Sequence, residues 1–166
     1  MSDVKMLGRF EAGAAGTRHL LPLSVYWEDT DAGGIVYYAN YLKFTERART
    51  DMLRGLGINQ QAMMEEEGAN FVVRACEIEY LKPAKMEDEL EIVTSVTDLR
   101  GASLRMAQDI YRGEDLLVET KVRIACLDRE GKPQRLSSAI NAKFNAILGD
   151  SALHAKTLSQ GRVNGK

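Results

Sequence analysis

From Leu21 onward the apolar positions fall into ordered patterns. Leu21, Leu23, Val25 and Trp27 alternate with Pro22, Ser24, Tyr26 and Glu28, the period of a half-buried strand with Pro22 at its start or on an edge. A turn over Asp29 to Gly34 ends it. Tyr41, Phe44, Ala48, Met52 and Leu56 then recur at steps of three and four, while Lys43, Arg47, Asp51 and Arg54 fall on other faces. This predicts an amphipathic helix of several turns, stopped by Gly55 and Gly57. Asn59 is placed to cap a second, short helix through Gln60, Ala62, Met63 and Met64 that ends by Gly68. Phe71 to Tyr80 is β-rich, with Cys76, Ile78 and Tyr80 on one face and Glu77 and Glu79 on the other. Its alternation fails before Arg74, which points to a bulge or to burial on both faces. Leu90 to Leu99, Ala102 to Tyr111 and Leu116 to Leu127 form three more strands, with turns at Arg100-Gly101 and at Arg112-Gly113-Glu114. Leu104, Met106 and Ile110, then Leu116, Val118, Val122, Ile124 and Cys126, keep one parity, as expected of antiparallel strands packed on one side. From Ser137 a C-terminal helix runs through Ala139, Ile140, Phe144 and Leu148.

The order is strand, turn, long helix, short helix and four strands. For this α+β pattern the economical solution is an antiparallel sheet of about five strands curled around the one long helix. Arg105, Glu119, Lys121 and Arg123 mark the solvated outer face. The exposed sheet edges favour continuation across subunits, in a homodimer or homotetramer. Residues 1–18 mix Gly, Ala and single charges without a period and read as a flexible leader; residues 19–150 form the domain; residues 151–166 read as a flexible tail.

Composition narrows the function classes. With 166 residues, 45% of them hydrophobic, the chain can bury the core of one domain. A net charge of −2 argues against nucleic acid as a partner. Cys76 and Cys126 lie inside apolar runs, the setting of buried, reduced thiols, and no run is long enough for a signal peptide or a bilayer span. A cytoplasmic protein is expected. His19 and His154 stand near opposite ends without motif partners and read as surface residues. A Ser-His-Asp triad and a histidine metal site are therefore disfavoured, no metal ligand is assigned, and neither phosphate-loop nor dinucleotide fingerprint is present.

The candidate chemistry sits in Glu28-Asp29-Thr30-Asp31-Ala32-Gly33-Gly34-Ile35-Val36-Tyr37-Tyr38, directly ahead of the long helix. A helix start offers unpaired N–H donors and a positive dipole end, suited to an anion or a polarised carbonyl. The local pattern leaves two readings open: Asp29 and Asp31 shape a turn, or one of them is reactive.

This stretch, with Asn40-Tyr41-Leu42 and Phe44-x-Glu46-Arg47-Ala48-Arg49, resembles the signature of the 4-hydroxybenzoyl-CoA thioesterase family, and most of all its YbgC-type acyl-CoA thioesterases associated with the Tol-Pal system. The resemblance continues through Phe71-Val72-Val73-Arg74, Glu79-Tyr80 with Pro83-Ala84, Asp88 with Leu90-Glu91-Ile92, and Arg100-Gly101-x-Ser103-Leu104, covering about residues 22 to 147. It implies the hotdog fold and an acyl-CoA thioesterase acting on a small or medium acyl group, with no cofactor because coenzyme A belongs to the substrate. By resemblance Asp31 is the catalytic carboxylate, the Tyr38 N–H stabilises the oxyanion, and Asp29 braces the turn. Gly33, Gly34, Ile35, Val36 and Tyr37 meet the substrate, while Arg100 and Ser103 meet the CoA nucleotide. Gly101 stands where the aromatic-substrate branch carries a second basic residue, and Tyr38 where many YbgC-type members carry His. Tol-Pal or lipid-metabolism partners are implied by resemblance alone. Two other readings remain: a non-catalytic protein that binds acyl thioesters or envelope partners, and a hotdog 3-hydroxyacyl-thioester dehydratase, which is disfavoured because the central stretch lacks His.

Overall fold

The computed structural model describes residues 5–148. One antiparallel sheet holds β1 (Arg9–Gly13), β2 (Gly16–Ser24), β3 (Asn70–Tyr80), β4 (Glu89–Leu99), β5 (Ser103–Arg112) and β6 (Asp115–Leu127) in the order β1-β2-β4-β5-β6-β3. The long helix α1 (Asn40–Gly55) lies against its concave face. The short helix α2 (Gln60–Ala62) runs into a π turn (Met63–Glu67), and α3 (Ser138–Ile147) follows the sheet. The expected curled sheet around one helix is present, with six strands in place of about five.

The helix stripe is the organising element. Tyr41, Phe44, Ala48 and Met52 are all buried, and Phe44 is wholly enclosed. The first half of α1 packs with Leu21, Val25, Ile92, Ile110 and Val118. Its second half joins Leu104, Met106, Ile124 and Phe144. Each large side chain enclosed in this way contributes roughly 1.5–3 kcal/mol. Asn59 caps α2 by accepting the Ala62 N–H at 3.0 Å, and Gly68 ends the following turn in the left-handed region at φ 65°. β3 slips register between Val73 and Ala75, at the predicted irregularity. Ser137 caps α3 through the Ile140 N–H.

Several expectations are corrected. Residues 9–13 and 16–18, expected in a flexible leader, form strand β1 and the start of β2, paired through Gly13 opposite Gly16. Trp27 is 80% exposed, because β2 stops at Ser24 and the 3-10 turn Trp27–Asp29 resets the alternation. Cys76 is exposed, since β3 is an outer strand with neighbours on one side only, while Cys126 is buried. His19 is fully enclosed, and Asp51 faces inward. The Asp51 carboxylate accepts the Leu7 and Gly8 N–H groups at 2.7 and 2.8 Å and meets His19 Nε2 at 2.8 Å, tying the β1 hairpin to α1. Residues 151–166, expected as a flexible tail, and His154 lie outside the described residues. Among the described residues no helix is long and apolar enough to cross a membrane.

Candidate active site

The segment from Asp29 to Tyr38 is folded by its own acids. Asp29 is buried, and its carboxylate accepts the Tyr26 N–H at 2.8 Å. The Asp29 carbonyl accepts both the Tyr37 N–H and the Asn40 side-chain amide at 2.9 Å. Asp29 thus holds together the turn that enters the loop and the start of α1 that leaves it.

Asp31 differs in every respect. It is exposed, and one of its carboxylate oxygens accepts the Gly33 N–H at 2.8 Å. The second oxygen accepts no hydrogen bond from the described residues. Its backbone closes a tight loop: the Asp31 N–H donates to Ile35 O, and the Gly34 N–H to Asp31 O. Gly34 sits at φ 77°, a conformation that costs L-residues about 1–2 kcal/mol. The Val36 N–H donates to Ala84 O at 2.9 Å, and the Ala84 N–H donates to the Tyr41 hydroxyl at 3.0 Å. The loop is therefore sewn onto the connection between β3 and β4.

The start of α1 has no side-chain cap, because Ala39 occupies the N-cap position usually held by Ser, Thr, Asp or Asn. Among the described residues the Tyr38 and Ala39 N–H groups have no backbone or side-chain acceptor. The Tyr80 hydroxyl donates to Tyr38 O at 3.1 Å and fixes the orientation of this peptide. Tyr37 and Tyr38 stand edge to face at 4.9 Å. Burial raises the Tyr41 and Tyr80 hydroxyl pKa values above the ordinary tyrosine range, so both remain neutral at physiological pH, Tyr41 accepting the Ala84 N–H and Tyr80 donating to Tyr38 O. Tyr37 is raised by its contact with Tyr38.

The remaining candidates divide. Gly33, Gly34, Ile35, Tyr37 and Tyr38 are exposed around Asp31, whereas Val36 is buried in the core. A cleft beside them is walled by Ile35, Tyr38, Tyr80, Leu81 and Pro83. Tyr80 and Pro83 join the site although neither is among the site residues expected from the sequence. Arg100 and Ser103 lie at the turn between β4 and β5, at the opposite end of β4 from Asp88 and the Asp31 loop. Eleven strand residues separate the two ends, roughly 33 Å. A single chain does not bring them together. Arg100 is exposed and held by Asp98 at 2.9 Å.

A second concavity lies between α1 and β3, lined by Arg49, Leu53, Phe71, Val73, Met106 and Phe144. The Arg49 guanidinium donates to Gln108 Oε1 at 2.9 Å, and Gln108 is itself locked by Thr45 O and the Thr94 hydroxyl. Burial lowers the Arg49 pKa, with Glu46 opposing the shift.

The family model of the thioesterase-like superfamily matches residues 25–144. The chain belongs to the thioesterase-like superfamily. It is 50% identical over 125 residues to the acyl-CoA thioester hydrolase YbgC of Escherichia coli, covering 74% of this chain and 92% of that relative. It is 42% identical over 127 residues to the acyl-CoA thioesterase YbgC of Haemophilus influenzae, covering 76% and 93%. A crystal structure of a probable thioesterase from Bartonella henselae superposes with a TM-score of 0.69 at 43% identity, over 72% of this chain and 98% of that one. A 1,4-dihydroxy-2-naphthoyl-CoA thioesterase from Synechocystis superposes at 0.72 with 20% identity over 77% and 96%, a likeness of fold. The sheet and helix of this superfamily member are those of the hotdog thioesterases.

Proposed function

We propose that this chain hydrolyses acyl-CoA thioesters to the free acid and CoA without a metal, using Asp31 and the Tyr38 N–H. The observation that carries the reading is the juxtaposition of an exposed carboxylate, tethered through one oxygen to Gly33, with an uncapped helix start whose Tyr38 N–H is unpaired. The thioester carbonyl oxygen takes the Tyr38 N–H, and negative charge developing on it is stabilised by that donor and the helix dipole. Asp31 removes a proton from an attacking water, or attacks the carbonyl carbon itself and is freed by water afterwards. In both routes the C–S bond breaks, the thiolate leaves and gains a proton, and water supplies the new acid oxygen. One missing oxyanion donor costs about 2.7–4 kcal/mol in such reactions.

The site is shared between two copies of the chain. β3 is an eleven-residue open edge with Val73 46% and Tyr80 43% exposed, whereas the other edge ends in the five-residue β1 with Arg9 and Glu11. Antiparallel pairing of β3 with its own copy sets the Phe71 end of one chain beside the Tyr80 end of the other. The Arg49 concavity and the Arg100 turn of one chain then lie at the Asp31 end of its partner. At about 160 Å³ that concavity is close to the ~150 Å³ that accepts a benzene ring, which favours small or medium acyl groups.

Asp31→Asn tests the chemistry in a thiol-release assay with short-chain, medium-chain and aromatic acyl-CoAs. Turnover is expected to fall at least a thousandfold, about 4 kcal/mol, with an unchanged melting temperature. Near-normal turnover by the variant would remove Asp31 from the mechanism.

A further inference from the structure

The inner face of the sheet carries a polar row across an otherwise apolar core. His19, Thr94, Gln108 and Thr120 stand opposite one another on β2, β4, β5 and β6, and all are buried. The row separates the hydrophobic cluster under the first half of α1 from the cluster under its second half. The helix supplies partners to it: Asp51 meets His19, while Thr45 O and the Arg49 guanidinium meet Gln108 at 2.9 Å. Gln108 Nε2 donates to Thr45 O and to the Thr94 hydroxyl, so the Gln108 oxygen is turned toward Arg49 and pins one corner of the guanidinium.

Arg49 is left short of acceptors. A guanidinium carries several N–H donors and stays charged at every physiological pH. Among the described residues only Nη1 has an acceptor, on Gln108, and the group makes no ion pair. Arg49 is partly buried and lines the concavity whose walls include Leu53, Phe71, Met106 and Phe144. Enclosing a cation among such groups costs free energy unless acceptors or an anion replace the lost water. Glu46 also borders the concavity, but it is exposed and accepts the Thr50 hydroxyl at 3.3 Å. Thr120, next to Gln108 on the side of β3, has a buried hydroxyl without a partner among the described residues. Hydrogen-bonding capacity is therefore left over on the side of the polar row where the concavity lies.

We infer that Arg49 selects acyl groups that end in a carboxylate, so that the preferred substrates are CoA monothioesters of short dicarboxylic acids. The inference rests on the acyl-CoA reading above, in which this concavity lies at the Asp31 end of the partner and receives the acyl group. The thioester carbonyl at Asp31 and the carboxylate on Arg49 are then the two ends of one acyl chain, with its methylene groups against the apolar walls. A carboxylate takes paired, charge-assisted hydrogen bonds from a guanidinium fork, and in apolar surroundings water competes little for them. A methyl end leaves the same donors without an acceptor. A site built to hydrogen-bond a polar group rejects the analogue that lacks it for this reason.

The test sets malonyl-, succinyl-, glutaryl- and adipoyl-CoA each against the straight-chain acyl-CoA of equal carbon number, with thiol release corrected for the uncatalysed rate. The quantity read is the ratio of kcat/KM for the carboxyl-ended member of a pair to that for the methyl-ended member. In the wild type this ratio is expected to reach roughly ten or more at the chain length that spans from Asp31 to Arg49. Arg49→Met keeps the length of the side chain without its charge and is expected to lower the ratio roughly ten- to a hundredfold, while Arg49→Lys recovers part of it. Glu46→Gln, which removes a competing carboxylate, is expected to raise it. Both members of a pair are measured on one preparation, so loss of folded or assembled enzyme cancels from the ratio. A wild-type ratio at or below one at every length, or a ratio that Arg49→Met leaves unchanged, would overturn the inference. Wild-type protein that releases CoA from no member of any pair would instead overturn the thioesterase reading.

Discussion

Replacing Asp51 by Ala removes a carboxylate that holds three donors at 2.7–2.8 Å while it and His19 are almost wholly enclosed. His19 Nδ1 is buried without a partner, which identifies the tautomer. A neutral ring donating from Nε2 leaves only an acceptor lone pair unsatisfied, whereas a protonated ring would bury a charged, unpaired N–H. Burial lowers the His19 pKa against the opposing pull of Asp51. Asp51 is also held below the usual carboxylate range; burial acts to raise it, and the Leu7 and Gly8 N–H groups with His19 outweigh that effect. Loss of Asp51 strands two backbone donors and His19, so Asp51→Ala is expected to cost about 3–5 kcal/mol. For a chain of this size that corresponds to a fall of about 6–20 °C in melting temperature. His19→Phe leaves both backbone bonds intact and is expected to cost less than half as much. The pH dependence follows from the depressed pKa values. Below pH ~6.5 the unfolded chain protonates His19 while the folded chain does not, so stability is full above that pH and declines as pH falls. The decline approaches about 1.4 kcal/mol per pH unit until the folded pKa is reached, and Asp51 adds a second loss below pH ~4. Thermal melts by circular dichroism from pH 8 to 2 read both effects. Equal costs for the two variants, or an acid decline between pH 6.5 and 5 undiminished in His19→Phe, would refute this account of the clasp.

Two further outcomes bear on the site. Ala75→Lys, at the middle of the β3 edge, sets a lysine against its own copy; light scattering is expected to show monomers and the thiol-release assay a proportional loss of hydrolysis, and fully active monomers would contradict a shared site. Gly34→Val forces a β-branched residue into φ 77° and is expected to destabilise by about 1–3 kcal/mol and to lower kcat by disturbing Asp31, as calorimetry and steady-state kinetics would register.

The parts legible in the sequence were those carried by local repetition. The stripe from Tyr41 to Met52, the Asn59 cap, the failed alternation at Arg74 and the parity of β5 and β6 each follow from neighbours within a few residues. The separate duties of the two acids also left a local trace, since Asp29 bonds back to Tyr26 and Asp31 forward to Gly33. What periodicity could not reach depends on distant partners. His19 is buried because Asp51, thirty-two positions away, faces it, and β1 is too short for five residues with one large apolar side chain to betray a strand. Parity places Trp27 inward, but parity holds only while the strand continues. The roughly 33 Å separating Arg100 from the Asp31 loop is a property of β4 running between them.

The short hairpin at the start of the chain has a consequence for how the protein behaves when concentrated. A sheet with two receptive margins can add copies at both sides without limit, the geometry of a growing fibre. Here one margin is a five-residue strand bearing Arg9 and Glu11, and Arg9 and Arg18 form ion pairs with Glu11 and Glu91 across it. If copies pair through β3 as proposed, growth by strand addition terminates after one event at that side. On that proposal, clipping Arg9–Gly13 from the fold is expected to convert a self-limiting pair into a chain that polymerises.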